Sequence, residues 1–132
     1  MLFRSPNVAT RLNNLALLLK ATDRLAEAEP LMRRALVIGE ASFGPDDPTV
    51  AIYLNSLAGL LQTTNRLAEA EPLMRRHLAI FIDFERKTGH PHPHRDMASR
   101  NYAGVLAAMG KGEAEIKAAI DGVTAEVGAR GP

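Results

Sequence analysis

The sequence predicts an all-α chain, a solenoid of about three antiparallel helix-turn-helix hairpins, and two observations carry that prediction. The eleven residues RLAEAEPLMRR stand at Arg24 to Arg34 and return unchanged at Arg66 to Arg76, 42 residues later. The match extends outward, Pro6-Asn7-Val8-Ala9 falling on Pro48-Thr49-Val50-Ala51 and Leu12-Asn13-Asn14-Leu15-Ala16 on Leu54-Asn55-Ser56-Leu57-Ala58. A period of this size marks stacked units, none of which buries its apolar face without a neighbour. Within each period, apolar residues recur twice at helical spacing, so the unit is a pair of helices. Residues 1–132 are expected to form one domain, with repeats over 6–43 and 48–86 and a degenerate third over 95–127.

In the first repeat, Val8, Leu12, Leu15, Ala16 and Leu19 give helix A a single apolar stripe, copied as Val50, Leu54, Leu57, Ala58 and Leu61. Asp23 and Asn65 follow each helix A and are residue types that cap helix N-termini. Helix B is then marked by Leu25, Ala28, Met32, Ala35 and Leu36, and its copy by Leu67, Ala70, Met74 and Leu78. The charges of helix B read as a solvated face, with Glu29 and Arg33 spaced to pair. Pro30 and Pro72 fall inside helix B, where a missing backbone donor predicts a local bend. Phe43-Gly44-Pro45-Asp46-Asp47-Pro48 and Gly89-His90-Pro91-His92-Pro93-His94 are the linkers between hairpins.

The third unit is worn. Tyr102-Ala103-Gly104-Val105-Leu106 matches Leu57-Ala58-Gly59-Leu60-Leu61 at a shift of 45, which puts three extra residues in the histidine-bearing linker. Glu113-Ala114-Glu115 matches Glu69-Ala70-Glu71 at 44, and Ile116, Ile120, Val123 and Val127 continue a helical stripe. A terminal, capping repeat looks like this, and the tail from Gly128 to Pro132 is expected to fray.

The small residues Ala16, Ala28 and Ala35 among the larger Leu12, Leu15, Leu19 and Met32 resemble the tetratricopeptide repeat. The stretch from Pro6 to Ala16, the Ala-Glu-Pro-Leu core of helix B and the Phe43 to Pro48 linker resemble the kinesin-light-chain type more narrowly. His77 departs from that pattern where alanine is usual, as do Gly112 and the shortened third hairpin. The resemblance implies a right-handed superhelix whose helices A line a concave groove for an extended peptide or a partner's helix.

Setting the buried stripe aside leaves a second face on each helix A: Thr10, Asn13, Leu17 and Lys20, then Ile52, Asn55, Gly59 and Gln62, then Met97, Arg100, Gly104 and Ala107. Asn14 and Asn101 lie beside that row. An asparagine amide both donates and accepts, so Asn13 and Asn55 can clamp an extended backbone, or equally bond the neighbouring repeat and hold the stack together. Gly59 and Gly104 either admit a ligand closely or relieve crowding between helices.

Other functions are disfavoured. Sixteen basic residues against fifteen acidic ones, a net charge of +1, supply no field for nucleic acid or anionic membrane. Without cysteine there is no thiolate catalysis or thiolate metal site. Neither a secretory leader nor an eighteen-residue apolar run is present, so a soluble, cytoplasmic chain is expected. No phosphate loop, GxSxG or HExxH occurs. Glu27 with Glu29, and Glu69 with Glu71, diverge around their helix and are not an acid/base pair. An enzyme is not expected, nor is a cofactor. His90, His92 and His94, with Asp96 or His77 near, are a weak metal candidate, because histidines two apart on an extended segment project to opposite sides. The alternative reading of that linker is a pH-responsive element.

The expected function is therefore a protein-interaction scaffold that binds a protein or peptide. A rival is a structural spacer, a piece of a longer array, as the linker-like Ser5-Pro6 start suggests. The two ends are expected to stay apolar, through Val8, Leu12 and Leu19 at one and Ile116, Ile120 and Val123 at the other, with Phe81, Ile82 and Phe84 as further apolar surplus. Such ends predict a homodimer through terminal helices.

Overall fold

The computed structural model describes residues 5–130. Six helices follow one another: α1 (Pro6–Ala21), α2 (Leu25–Phe43), α3 (Pro48–Thr63), α4 (Leu67–Thr88), α5 (Arg95–Ala108) and α6 (Glu113–Gly128). No strand occurs among the described residues. Each consecutive pair packs as a hairpin, α2 packs on α3, and α4 receives both α5 and α6, so the chain is an all-α solenoid of helical hairpins. The tail expected to fray falls partly on residues 131–132, outside the described residues.

Local chemistry sets the helix starts, with one correction. The Ser5 hydroxyl accepts the Asn7 N–H at 3.2 Å and the Asp47 carboxylate the Thr49 N–H at 2.8 Å, each just before a proline at the first helical position. Asp23 and Asn65, read as caps, do something else. Both take left-handed backbone, φ 63° and 58°, while Arg24 and Arg66 stand at the cap positions without a side-chain cap bond. A tight turn needs one residue at positive φ, and short polar side chains tolerate it best outside glycine. The turn then closes with the N–H groups of Arg24 and Arg66 bonded to Leu19 and Leu61 carbonyls, both at 2.7 Å. Helices α2 and α4 run on through Pro30 and Pro72, both of which face solvent.

The core is centred on α3, which is covered on both sides and buries Val50, Tyr53, Leu54, Leu57, Leu60 and Leu61. Among the described residues no helix precedes α1, which buries Ala9, Asn13 and Ala16. Leu15, expected in the core, is 48% exposed where its copy Leu57 is 1% exposed, and Leu18 is exposed where Leu60 is buried. Val8, Leu12 and Leu19 instead pack partly against the core, so the open patch at this end is Leu15 with Leu18.

The other end contradicts the expected apolar surface. Val123 and Val127 are buried, Ile116 and Ile120 pack against the core, and the surface of α6 carries an exposed Lys117–Asp121 pair at 3.8 Å. Phe81 and Ile82 are buried as well, and Phe84 is half-buried. The reason is the length of α4, whose 22 residues receive α5 and α6 together and need more apolar surface than α2 does.

The two hairpin junctions use opposite shapes. A Cβ built on Gly39 would lie 2.7 Å from the Tyr53 ring, so the tyrosine seats against bare backbone. In the next junction the equivalent positions are Phe81 and Ala98, both buried: the large residue has moved to helix B and the small one to helix A. The repeated charges tie hairpins together too. Arg66 bonds Glu69 at 2.6 Å, as Arg24 bonds Glu27, but it also reaches Glu29 of the preceding repeat at 2.5 Å. Glu29 pairs with Arg33 at 3.0 Å, as its spacing predicted.

The shared face of the first helices as candidate binding site

Helices α1, α3 and α5 come from equivalent positions of successive repeats, and single hydrogen bonds join them side by side. Thr10 Oγ1 lies 3.3 Å from the Tyr53 hydroxyl, and Asn101 donates its amide to Asn55 Oδ1 at 3.3 Å. The second bond joins two of the asparagines singled out from the sequence. Asn13 is only 4% exposed, and its Oδ1 has no hydrogen-bond partner among the described residues. A buried carbonyl without a donor is costly, and burial also closes this one to a ligand on the surface of the row. Asn14, beside it, is exposed.

The remaining row residues supply surface. Ile52 is 56% exposed and Leu17 is exposed beside it, apolar side chains that the stack leaves uncovered. The Lys20 ammonium lies 3.2 Å from where a Gly59 Cβ would stand, so the missing side chain makes room for a cation. Gly104 has open space around it, and Arg100 is exposed. Gln62 and Met97 are half-buried. Among the described residues neither Lys20 nor Arg100 has an ion-pair partner. Helices α1, α3 and α5 carry Arg11, Lys20, Arg95 and Arg100 against Asp96 alone, whereas α6 carries Glu113, Glu115, Asp121 and Glu126 against Lys117. A nearly neutral chain is thus polarised, basic on the first helices and acidic at the last one.

The family model for the tetratricopeptide repeat matches residues 7–83. The chain belongs to the tetratricopeptide repeat family. No curated protein matches it. The matched span covers the two well-formed repeats and stops short of the third, where the sequence agreement also weakens.

The other features of this tetratricopeptide array serve its packing. Hydrogen bonds from arginines hold the Glu27, Glu29 and Glu69 carboxyls below the usual carboxylate range, Arg24 acting on the first and Arg66 on the other two. Glu71 accepts from the Tyr102 hydroxyl at 3.0 Å; burial first, and that bond second, push the phenol up to about 12. A recess of about 420 Å³ between the first linker and the end of α4 is lined by Phe43, Asp47, Asp83 and Phe84 among others. Two of its three carboxylates are committed: Asp47 caps α3, and Asp83 is held by Arg86 and Lys87, both at 2.9 Å, while Asp46 also lines the recess. No helix among the described residues is long and apolar enough to cross a membrane.

The histidines are arranged by packing as well. The His92 ring lies on Phe81 with centroids 4.4 Å apart and meets Phe84 edge-on at 4.9 Å. His94 is exposed at 5.3 Å from His92, His90 is exposed, and His77 is buried on the edge of the same Phe81 ring at 5.1 Å. Among the described residues no three histidine, aspartate or glutamate side chains are placed to hold a metal ion. Phe81, which stands where the first repeat has Gly39, organises this cluster.

Proposed function

We propose that this tetratricopeptide chain is a protein-interaction module of the kinesin-light-chain-like type, and that the row on α1, α3 and α5 takes an extended, acidic peptide with apolar residues between its carboxylates. The observation that supports this most is the pairing, on one face, of uncovered Leu17 and Ile52 with the unpartnered cations Lys20 and Arg100. Aliphatic surface rewards burial of apolar side chains, and cations on either side steer and orient an anionic segment. The Phe43 to Pro48 linker and the repeated Ala-Glu-Pro-Leu support the subtype.

Selection from a displayed peptide library against the purified chain tests this. Binders should be rich in aspartate, glutamate and aliphatic residues, and Lys20→Glu with Arg100→Glu should weaken them roughly tenfold or more. Binders without acidic residues, or equal affinity for the variant, would overturn the reading. Asn13→Ala with Asn55→Ala separates the two asparagine roles. Each amide that clamps the peptide should cost about 0.5 to 1.5 kcal/mol of affinity, whereas a sharp fall in melting temperature with unchanged affinity assigns both to the stack.

A second reading, pairing of two copies across α1, rests on the uncovered Leu15 and Leu18. The polar outer face of α6 confines any such contact to the α1 end. Light scattering over a tenfold or wider concentration range decides it: monomer mass throughout rejects the pair.

A further inference from the structure

The three repeats share a device at the start of helix A that only their alignment and geometry together reveal. Ser5-Pro6, Asp47-Pro48 and His92-Pro93 occupy equivalent positions at the shifts of 42 and 45. In all three the side chain of the first residue accepts the backbone N–H two residues on: Ser5 from Asn7 at 3.2 Å, Asp47 from Thr49 at 2.8 Å, and His92, through Nδ1, from His94 at 3.1 Å. The third repeat has thus put an imidazole where the others have a hydroxyl and a carboxylate. His94, at the N-cap of α5, makes no side-chain cap bond of its own.

Substitution of the acceptor changes its response to protons. A hydroxyl does not titrate near neutrality, and a carboxyl that gains a proton keeps an acceptor oxygen. An imidazole that gains a proton at Nδ1 becomes a donor there, and faces another donor. We propose that His92 is a proton-operated clasp on the turn that leads into α5: its neutral ring holds the start of α5 against α4, and protonation releases that start.

The surroundings make this a latch rather than an isolated bond. Glu85 of α4 accepts the His92 N–H at 3.2 Å through one oxygen and the Arg95 guanidinium at 2.5 Å through the other. The His92 carbonyl accepts the Arg95 N–H at 3.1 Å, so the clasp, the ion pair and the first turn of α5 share one short segment. Phe81 and Phe84 of α4 hold the ring in place. The charged and titratable groups around it are Glu85 and, beyond Phe81, His77 on α4, His94 in the linker and Arg95 at the head of α5. Glu85 alone favours the cation, and both its oxygens are already engaged. Burial first, then the neighbouring His94, keep the ring neutral to lower pH than a free histidine. Helix α5 carries Met97, Arg100 and Asn101, so if the row binds peptide as proposed above, release of the clasp weakens that binding in acid.

Nuclear magnetic resonance of the full chain tests the latch without reference to any ligand. At about pH 7.5 the His92 ring should be the tautomer with bare Nδ1. Between about pH 7.5 and about pH 5, a window extended downward because the ring holds its proton less readily than a free histidine, hydrogen-exchange protection of amides 94–98 should fall roughly fivefold to tenfold, as for loss of one hydrogen bond, while amides 49–53 stay level. His92→Asp, which restores the acceptor of the second repeat, should abolish the fall, and His77→Leu should leave it in place. A protonated Nδ1 at neutral pH, a level response in the wild-type chain, an undiminished fall in His92→Asp, or a level response in His77→Leu would each overturn the proposal.

Discussion

His77 occupies the place that Ala35 holds one repeat earlier, and the exchange has a thermodynamic signature. The ring is 2% exposed, its Nδ1 has no hydrogen-bond partner among the described residues, and burial first, then His94, hold its pKa down at about 4. Because the folded value lies below the ordinary one, the unfolded chain binds the proton more readily. Full stability is therefore present above about pH 6.5 and is lost as pH falls toward about 4, by roughly 3 kcal/mol. Urea melts at neutral and mildly acidic pH should show this loss, and His77→Ala should remove most of it. A variant that loses as much as the wild-type chain would clear His77 of the effect. The substitution at 77 was legible in the repeat, but the partnerless Nδ1 was not, since it depends on what Phe81 and the linker place around the ring.

At the scale of elements, equal sequences meet unequal surroundings. Leu15 and Leu57 are copies on helices of the same length, yet among the described residues α3 has a helix on each side and α1 does not. Leu57→Ala should cost about 2 to 5 kcal/mol, as for a fully buried leucine, and Leu15→Ala well under half of that. Chemical denaturation of the two variants reads the difference, and equal losses would mean that α1 is covered. The junctions show the converse, a conserved volume built from exchanged residues. Gly39→Ala should destabilise the chain by about 1 to 3 kcal/mol through overpacking against the Tyr53 ring. Combined with Tyr53→Leu, its effect should shrink, which a double-mutant cycle measures. A fully additive cycle would place the strain elsewhere.

For the whole molecule, the neutral total conceals a separation of charge between the first helices and α6. Association with an acidic segment should weaken as salt rises, because the charges that steer it stand on the surface. A titration repeated at low and high ionic strength should show affinity and association rate falling together for the wild-type chain. The Lys20→Glu, Arg100→Glu variant should show little salt dependence, and an unchanged salt slope would place the steering charges outside the row.

The sequence by itself determined the hairpin, its repetition, the linkers, the Glu29–Arg33 pair and the family, because all are written in spacing along one chain. Subtracting one helical face also picked out a row of positions on α1, α3 and α5, of which Asn13 lies buried. It misjudged Asp23 and Asn65, whose types suit both a cap and a left-handed turn, and only the closing of the turn selects between them. It misjudged Val123, Phe81 and Ile82, because which apolar residues stay outside depends on which helices arrive, and α4 receives two. Tertiary structure alone decided that Asn55 bonds Asn101, that Lys20 lies over Gly59, and that His92 stands in for Asp47 as an acceptor. Each is a contact between groups whose positions relative to one another exist only once the hairpins have packed, and spacing within a helix carries no information about that.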